Sequence, residues 1–180
     1  TLLSDRAFGG ADTLATTYTL ARAIEKLGGA DLVLCGVESS DGATGQVPAG
    51  IAEWLGWAQL TMLNTVVLDL ERRTVRGRRE IQGGHEILEV PLPAVLSVET
   101  AANEPRFMDY RIKPWAFAPE QLTVWNAAML DADPELIGIP GSPTVVGGLD
   151  QAPSRERKHI FVEGTPTQVA RRLTDLLHQG

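Results

Sequence analysis

The chain has 180 residues, of which 43% are hydrophobic and 22% are charged, and its formal net charge is -7. A globular protein of this length buries about 70% of the surface that its unfolded chain exposes, so one substantial core is expected. The acidic balance excludes a nucleic-acid partner from the expected functions, because no basic face is present to release counterions from a phosphate backbone.

The single cysteine, Cys35, leaves no internal disulfide framework and indicates a reducing compartment, so a cytoplasmic location is expected. No apolar stretch approaches the roughly 20 residues needed to span a bilayer, which predicts no membrane insertion. The three histidines, His85, His159 and His178, are scattered and lack the spacing of metal ligands. No metal site is expected.

The first third of the chain alternates between strand and helix signals. "TLL" reads as the end of a strand, and Asp12 as the N-cap of a helix with an apolar stripe that stops at a pair of glycines. "DLVLCG" is short and continuously apolar, as a parallel strand covered on both faces would be. A second helix follows, with Pro48 in its first turn and Gly56 at its end. This order predicts an α/β fold with parallel strands.

The middle of the chain is rich in β signals, which predict an added β-hairpin region. The runs are "TVVLDL", "TVRGRREI", "HEILEVPL" and "AVLSVE". From residue 100 to 119 periodicity is weak, which predicts an ordered loop. Near the end, "HIFVEG" predicts a strand, and Thr165, Pro166 and Gln168 predict a capping box that opens a terminal helix.

The stretch "DGATGQVPAG", residues 41–50, lies between a predicted buried strand and a predicted helix. Its glycines would let phosphate oxygens approach the main chain, and Thr44 and Gln46 would add side-chain donors. Two interpretations stay open on pattern alone: a turn whose glycines only satisfy backbone geometry, and an anion site. Ser142 in "PGSPT" lacks the G-x-S-x-G elbow, so no hydrolase is predicted.

Four segments stand out together: "LLSDRAFGGADTLATTYTLARAI", "DLVLCGVESSDGATGQV", "REIQGGHEILEVPLPAVLSVE" and "ANEPRF". Their order and spacing resemble the β subunit of electron-transfer flavoprotein over nearly the whole chain. "GADTLAT" and "GIPGSPT" look more like the electron-bifurcating and nitrogen-fixation-associated branch than the mitochondrial-type branch.

The resemblance implies a Rossmann-like doubly wound parallel sheet of the adenine-nucleotide-binding type, with the added hairpin region and a C-terminal arm. It implies FAD, or alternatively AMP, at a site whose residues come from two loops. These are Asp12, Thr13, Thr16, Gly36, Glu38, Ser39, Asp41, Gly42, Ala43, Thr44, Gly45, Gln46 and Val47. Partner contacts are implied for the loop at Asn103, Glu104, Pro105 and Arg106.

The function that the resemblance implies is electron transfer. The chain would be an electron carrier and not an enzyme by itself, paired with an α subunit and receiving electrons from a dehydrogenase or NADH. The alternative is a non-redox adenine-nucleotide-binding module or sensor of related fold. Both depend on a nucleotide bound at the same loops.

The chain is expected to divide into two parts with different functions. Residues 1–100 would form a partial adenine-nucleotide-binding domain with its β extension, and residues 101–180 the partner-recognition loop and the C-terminal arm with its terminal helix. Members of the resembling family begin with further strand and helix units before the position of Thr1. We therefore expect an N-terminal portion to be missing here, and we expect nucleotide binding to be weak without it.

Overall fold

The computed structural model describes residues 1–148 and 161–178. The chain divides into two compact units, Thr1–Val145 and Val146–Gly180. The first unit holds every strand found in the described residues. The expected domain boundary after residue 100 separates a nucleotide-binding part from a partner-recognition part of the chain. This boundary stays a prediction.

The described α-helices are α1 (Thr13–Lys26), α2 (Val47–Leu55), α3 (Lys113–Ala116) and α4 (Pro166–His178). The strands are β1 (Leu2–Leu3), β2 (Leu32–Gly36), β3 (Ala58–Leu63), β4 (Thr65–Asp69), β5 (Thr74–Ile81), β6 (Gly84–Pro91), β7 (Ala94–Val98) and β8 (Val124–Trp125). Short 3-10 helices span Arg6–Phe8, Thr100–Ala102, Tyr110–Ile112, Pro119–Gln121, Ala128–Leu130 and Pro134–Leu136.

A parallel three-stranded sheet in the order β2-β7-β3 forms the centre of the first unit. Its pairing confirms the predicted α/β class. The interpretation of "AVLSVE" as part of the hairpin region was wrong, because this segment is β7, the middle strand of the parallel sheet. Ala94, Val95 and Leu96 of β7 are each 0% exposed, which is the environment of a strand covered on both faces. Strand β3 was not among the predicted elements, although apolar and polar residues alternate from Ala58 to Met62.

Helices α1 and α2 pack against each other and against this sheet. Ile51 and Ala52 of α2 form a buried cluster with Val95, and Cys35 lies at the edge of that cluster. The ring of Tyr18 meets the edge of the Trp54 ring at a centroid distance of 5.0 Å. Burial raises the pKa of the Cys35 thiol, as expected for a cysteine that fills space in a core.

The hairpin region is an antiparallel sheet in the order β4-β5-β6, as the β signals and the "QGG" turn predicted. It packs on the parallel sheet through an apolar cluster that includes Leu63 and Val75. A Cβ atom at Gly77 would lie 2.6 Å from both methyl carbons of Leu63. The close approach of the two sheets therefore requires glycine at this position.

Strand β1 pairs in parallel with β8, a partner more than 120 positions away in the chain. The Leu2 N–H donates to the Thr123 carbonyl at 2.8 Å, and the Ser4 N–H donates to the Trp125 carbonyl at 2.9 Å. Asp5 then accepts a hydrogen bond from the Ala127 N–H at 3.0 Å. These contacts hold the loop after β1 in place.

In the second unit, α4 begins at Pro166 as predicted. The Gln168 side chain accepts hydrogen bonds from the Thr165 N–H at 2.9 Å and from its hydroxyl at 3.0 Å, which is one half of a capping box. The strand predicted for "HIFVEG" is wrong over residues 161–164, which form no strand, and its first two residues lie outside the described ranges. Among the described helices, none has the length and apolarity required to cross a bilayer.

Candidate functional site

Two loops leave the carboxyl ends of parallel strands and each leads into a helix. Residues 4–12 connect β1 to α1, and residues 37–46 connect β2 to α2. In α/β folds, ligands bind beyond the carboxyl ends of the strands. β1 pairs with β8 and β2 belongs to the β2-β7-β3 sheet, and the start of α1 meets the second loop where the Thr13 hydroxyl lies 3.3 Å from the Thr44 hydroxyl oxygen.

The loop at residues 37–46, which we call the β2–α2 loop, has an unusual backbone. Ala43 and Gly45 both adopt positive φ angles, of 46° and 63°. The Ala43 N–H donates to the Ser39 carbonyl at 2.9 Å, and the Gly42 N–H donates to the Asp41 carboxylate at 2.9 Å. A non-glycine residue in the left-handed region stores strain, and such strain is concentrated at functional loops.

Several N–H groups of this loop donate to no acceptor among the described residues. The N–H groups of Thr44, Gly45 and Val47 are among them, and Val47 is the first residue of α2. Gln46 precedes the helix and makes no side-chain capping hydrogen bond. Unpaired N–H groups at the start of a helix, next to residues whose φ angles alternate between negative and positive values, favour the binding of an anion.

The carboxylate of Asp41 is used inside the loop. The Ser39 hydroxyl, and after it main-chain N–H groups that include that of Gly42, lower the pKa of Asp41. The group is therefore ionised at neutral pH and holds the turn through its own neighbours. Its negative charge is partly balanced by those donors, so it opposes a bound phosphate less than a free carboxylate would.

The start of α1 lies beside the β2–α2 loop because α1 and α2 cross closely. A Cβ atom at Gly50 of α2 would lie 2.5 Å from the Thr17 methyl carbon of α1. Asp12 caps α1, accepting from the N–H groups of Leu14 and Ala15 at 2.9 and 3.2 Å. Two helix N-termini, each with about half a positive charge, therefore converge on one place.

The site is open to solvent, since residues 38–44 are all exposed. Within the described residues, no group of three or more His, Cys, Asp or Glu side chains is arranged to hold a metal ion. The arrangement offers main-chain donors and threonine hydroxyls beside the carboxylates of Asp12 and Asp41. Such donors suit an anionic group, and the binding of one here stays a prediction.

Residues 1–128 match the family model described as the electron transfer flavoprotein domain. The chain belongs to this family. Membership of this family implies a flavin or another nucleotide as cofactor. The anion site at the loops described above, one of the two interpretations that the sequence had left open, stays a prediction.

The relatives of this electron transfer flavoprotein domain carry related names. The caffeyl-CoA reductase-Etf complex subunit CarD of Acetobacterium woodii is 35% identical over 178 residues, which are 99% of this chain and 67% of that protein. The electron transfer flavoprotein subunit beta of Clostridium acetobutylicum is 41% identical over 145 residues, 81% of this chain and 54% of the relative. Protein FixA of Azotobacter vinelandii is 36% identical over 167 residues, 90% of this chain and 59% of the relative. The chain thus spans between about half and two thirds of the length of these relatives.

The structure of this electron transfer flavoprotein domain brings together part of the predicted cofactor set. Thr13 meets the β2–α2 loop through Thr44, Asp12 precedes it as the cap of α1, and Thr16 lies one turn further along α1. Glu38 is exposed at the start of the loop and makes no side-chain hydrogen bond within the described residues. The cofactor contacts of these residues stay predictions.

The predicted partner loop follows the middle strand of the parallel sheet in the chain. Residues 103–106 follow β7, which ends at Val98 opposite Gly36 of β2. All four side chains are exposed and form no helix or strand. Exposure leaves them accessible to a second protein, and their role in partner binding stays a prediction.

Two residues of the site were missed by sequence reasoning. Ser142 and Thr144 both form hydrogen bonds with Asp12, across 130 or more positions of the chain. Ser142 had been considered only as a nucleophile. The available signal was that "GADTLAT" and "GIPGSPT" had been singled out together in the sequence, and residues of the two segments are in direct contact.

Proposed function

We propose that this chain is the nucleotide-binding part of an electron-transfer flavoprotein β subunit. It holds the phosphates of FAD, or alternatively of AMP, against the β2–α2 loop and the starts of α1 and α2. The resemblance of "GADTLAT" and "GIPGSPT" to the electron-bifurcating branch favours FAD.

The observation that carries this proposal is the cluster of main-chain donors beyond the carboxyl end of β2 that have no acceptor in the described part of the chain. The N–H groups of Thr44, Gly45 and Val47 lie beside the Thr13 hydroxyl and the positive ends of two helices. A pyrophosphate is the natural occupant of such a site, since its oxygens accept several hydrogen bonds at once. The non-redox sensor, the alternative drawn from the sequence, has no separate observation in its favour.

The bound flavin would supply the redox chemistry, and the protein would supply its position and its electrostatic surroundings. The chain is then an electron carrier and not an enzyme by itself. We propose an α subunit as its obligate partner, with a dehydrogenase or NADH as the electron donor, in the cytoplasm. Residues 103–106 are the proposed contact with the donor protein.

The experiment is to produce the chain together with an α-type subunit and to record the visible absorption spectrum of the purified complex. FAD and AMP are then titrated by calorimetry against the complex and against a Gly45→Val variant. A branched side chain at Gly45 would cover the approach to the loop N–H groups, so at least about tenfold weaker binding is expected.

The matched control is Gly83→Val in the turn between β5 and β6. Gly83 also has a positive φ angle, 86°, and nothing lies within 4 Å of an added Cβ atom there. This variant introduces similar backbone strain away from the site and should keep its nucleotide affinity. Equal affinity in the Gly45→Val variant would reject the assigned site, and a colourless complex that binds neither nucleotide would reject the proposed function.

A further inference from the structure

Residues 138–144, which we call the latch segment, lie directly against the loop before α1. A Cβ atom at Gly10 would lie 2.7 Å from the Ile139 side chain, and one at Gly138 would collide with the Ala7 carbonyl oxygen. Gly10 and Gly138 have φ angles of 72° and 53°. The two segments approach so closely that each depends on the glycines of the other.

Hydrogen bonds fasten the latch segment to Asp12. The Asp12 N–H donates to the Ser142 hydroxyl oxygen at 2.7 Å, and that hydroxyl donates to the Gly138 carbonyl at 2.6 Å. The Thr144 N–H and hydroxyl both donate to one oxygen of the Asp12 carboxylate, at 3.1 and 2.8 Å. Asp12 is thus bound through its main chain and its side chain.

The two carboxylate oxygens of Asp12 have separate partners. Oδ1 accepts the N–H groups of Leu14 and Ala15 in the first turn of α1, whereas Oδ2 accepts both donors of Thr144. An N-cap needs only one oxygen. The second oxygen is therefore available to join α1 to a segment that is distant in the chain.

The two donors of Thr144 would affect how strongly Asp12 repels an anion bound near α1. Partial burial tends to raise the pKa of Asp12, but the hydrogen bonds from the Thr144 hydroxyl and from main-chain N–H groups outweigh it and the pKa is lowered. Asp12 is consequently ionised, and its charge would repel a phosphate. Thr144 places two donors against that charge, which weakens the repulsion without removing the cap.

We infer that Ser142 and Thr144 are positioning residues of the nucleotide site. They act through Asp12, which fixes the start of α1 and so places the adjacent Thr13 hydroxyl against Thr44 in the β2–α2 loop. The inference rests on the proposed function, because the nucleotide is the ligand whose site is positioned.

The test compares Thr144→Val with Thr144→Ser in the complex with the α-type subunit. Valine keeps the shape of threonine and removes the hydroxyl, whereas serine restores the hydroxyl. We expect Thr144→Val to bind FAD and AMP at least about fivefold more weakly, and Thr144→Ser to recover most of the affinity. Thr174→Val in α4 is the matched control, since it also removes one threonine hydroxyl, which donates to the Ala170 carbonyl at 3.0 Å.

A second readout needs no nucleotide. Amide hydrogen exchange at Leu14 and Ala15 reports the cap of α1, and it should accelerate in Thr144→Val and return to normal in Thr144→Ser. Faster exchange with unchanged nucleotide affinity would mean that the latch segment is only structural, and it would overturn the inference. Unchanged exchange and affinity would also overturn it. If the unsubstituted complex binds no nucleotide, the proposed function fails and this inference falls with it.

Discussion

Substituting Gly50 by alanine should separate α1 from α2 and weaken the site that both helices border. The added Cβ would lie 2.5 Å from the Thr17 methyl carbon and 2.9 Å from its Cβ and hydroxyl oxygen. Thr17 is 1% exposed, and its hydroxyl is held by the Leu14 carbonyl at 2.7 Å, so it cannot turn away freely. The helices must therefore move apart.

The size of this movement follows from the contact distance. Carbon atoms pack at about 3.5 Å or more, so the helices must separate by about 1 Å at this point. Overpacking of this kind costs about 1–3 kcal/mol, while replacing glycine by alanine within a helix contributes about 1 kcal/mol of stability. We expect a net loss of up to about 2 kcal/mol in the free energy of unfolding. Because Thr13 lies one turn before Thr17, its 3.3 Å contact with Thr44 should also break.

Urea unfolding and nucleotide titration measure the two effects on the same variant. Gly84→Ala is the control, since an added Cβ meets nothing within 4 Å there. A Thr17→Ala substitution removes the methyl carbon and the hydroxyl oxygen, which are two of the three Thr17 atoms that the added Cβ would approach. It should therefore lower the free energy of unfolding less in the Gly50→Ala protein than in the protein with the native glycine. A Gly50→Ala protein that is about 1 kcal/mol more stable, with full nucleotide affinity, would show that helix propensity alone decides and that the close crossing is wrong.

Two further predictions concern buried and charged hydrogen bonds. Ser97 is 1% exposed, and its hydroxyl oxygen accepts a hydrogen bond from the Met62 N–H at 2.8 Å. Ser97→Ala should therefore lower the free energy of unfolding by about 1–3 kcal/mol in a urea titration, whereas Ser40→Ala at an exposed position should change it very little. Equal stability of the two variants would contradict this prediction. The lowered pKa of Asp12 contributes stability that is present above the ordinary carboxyl pKa and is lost as the pH falls through the lowered value. Thermal unfolding between about pH 5 and pH 1 should therefore show less acid destabilisation in Asp12→Asn than in the unsubstituted chain, and parallel curves would refute it.

Features that depend on neighbouring residues were predicted correctly from the sequence. The Asp12 cap of α1, the proline in the first turn of α2 and the β5–β6 turn all appear where the pattern indicated. The apolar stripe predicted for α1 was only partly correct, because Tyr18 and Ala21 are buried whereas Leu14 and Leu27 are exposed. Helical periodicity, capping and turn chemistry act over three or four residues, so the sequence carries them directly. The β2–α2 loop was predicted for the same reason, since its glycines lie between a strand and a helix.

The strand neighbours were decided only by the tertiary structure. β7 was expected in the hairpin region because it follows β6 closely in the chain, yet it inserts between β2 and β3. β8 joins β1 from more than 120 positions away. The sequence of a strand indicates whether the strand is buried, but it does not indicate which strand it pairs with. The reason is that the edge of any other strand of suitable length offers the same main-chain hydrogen bonds.

The latch segment shows the same limit at the candidate site. Asp12 was predicted as a cap because one carboxylate oxygen satisfies N–H groups two and three residues away. Nothing near Asp12 in the chain indicates that its other oxygen meets Thr144, 132 positions later. The sequence by itself determined where the helices start and which residues offer donors at the candidate site. Folding decided which distant side chains hold the start of α1, because a contact between distant parts of the chain exists only once the strands and helices have packed.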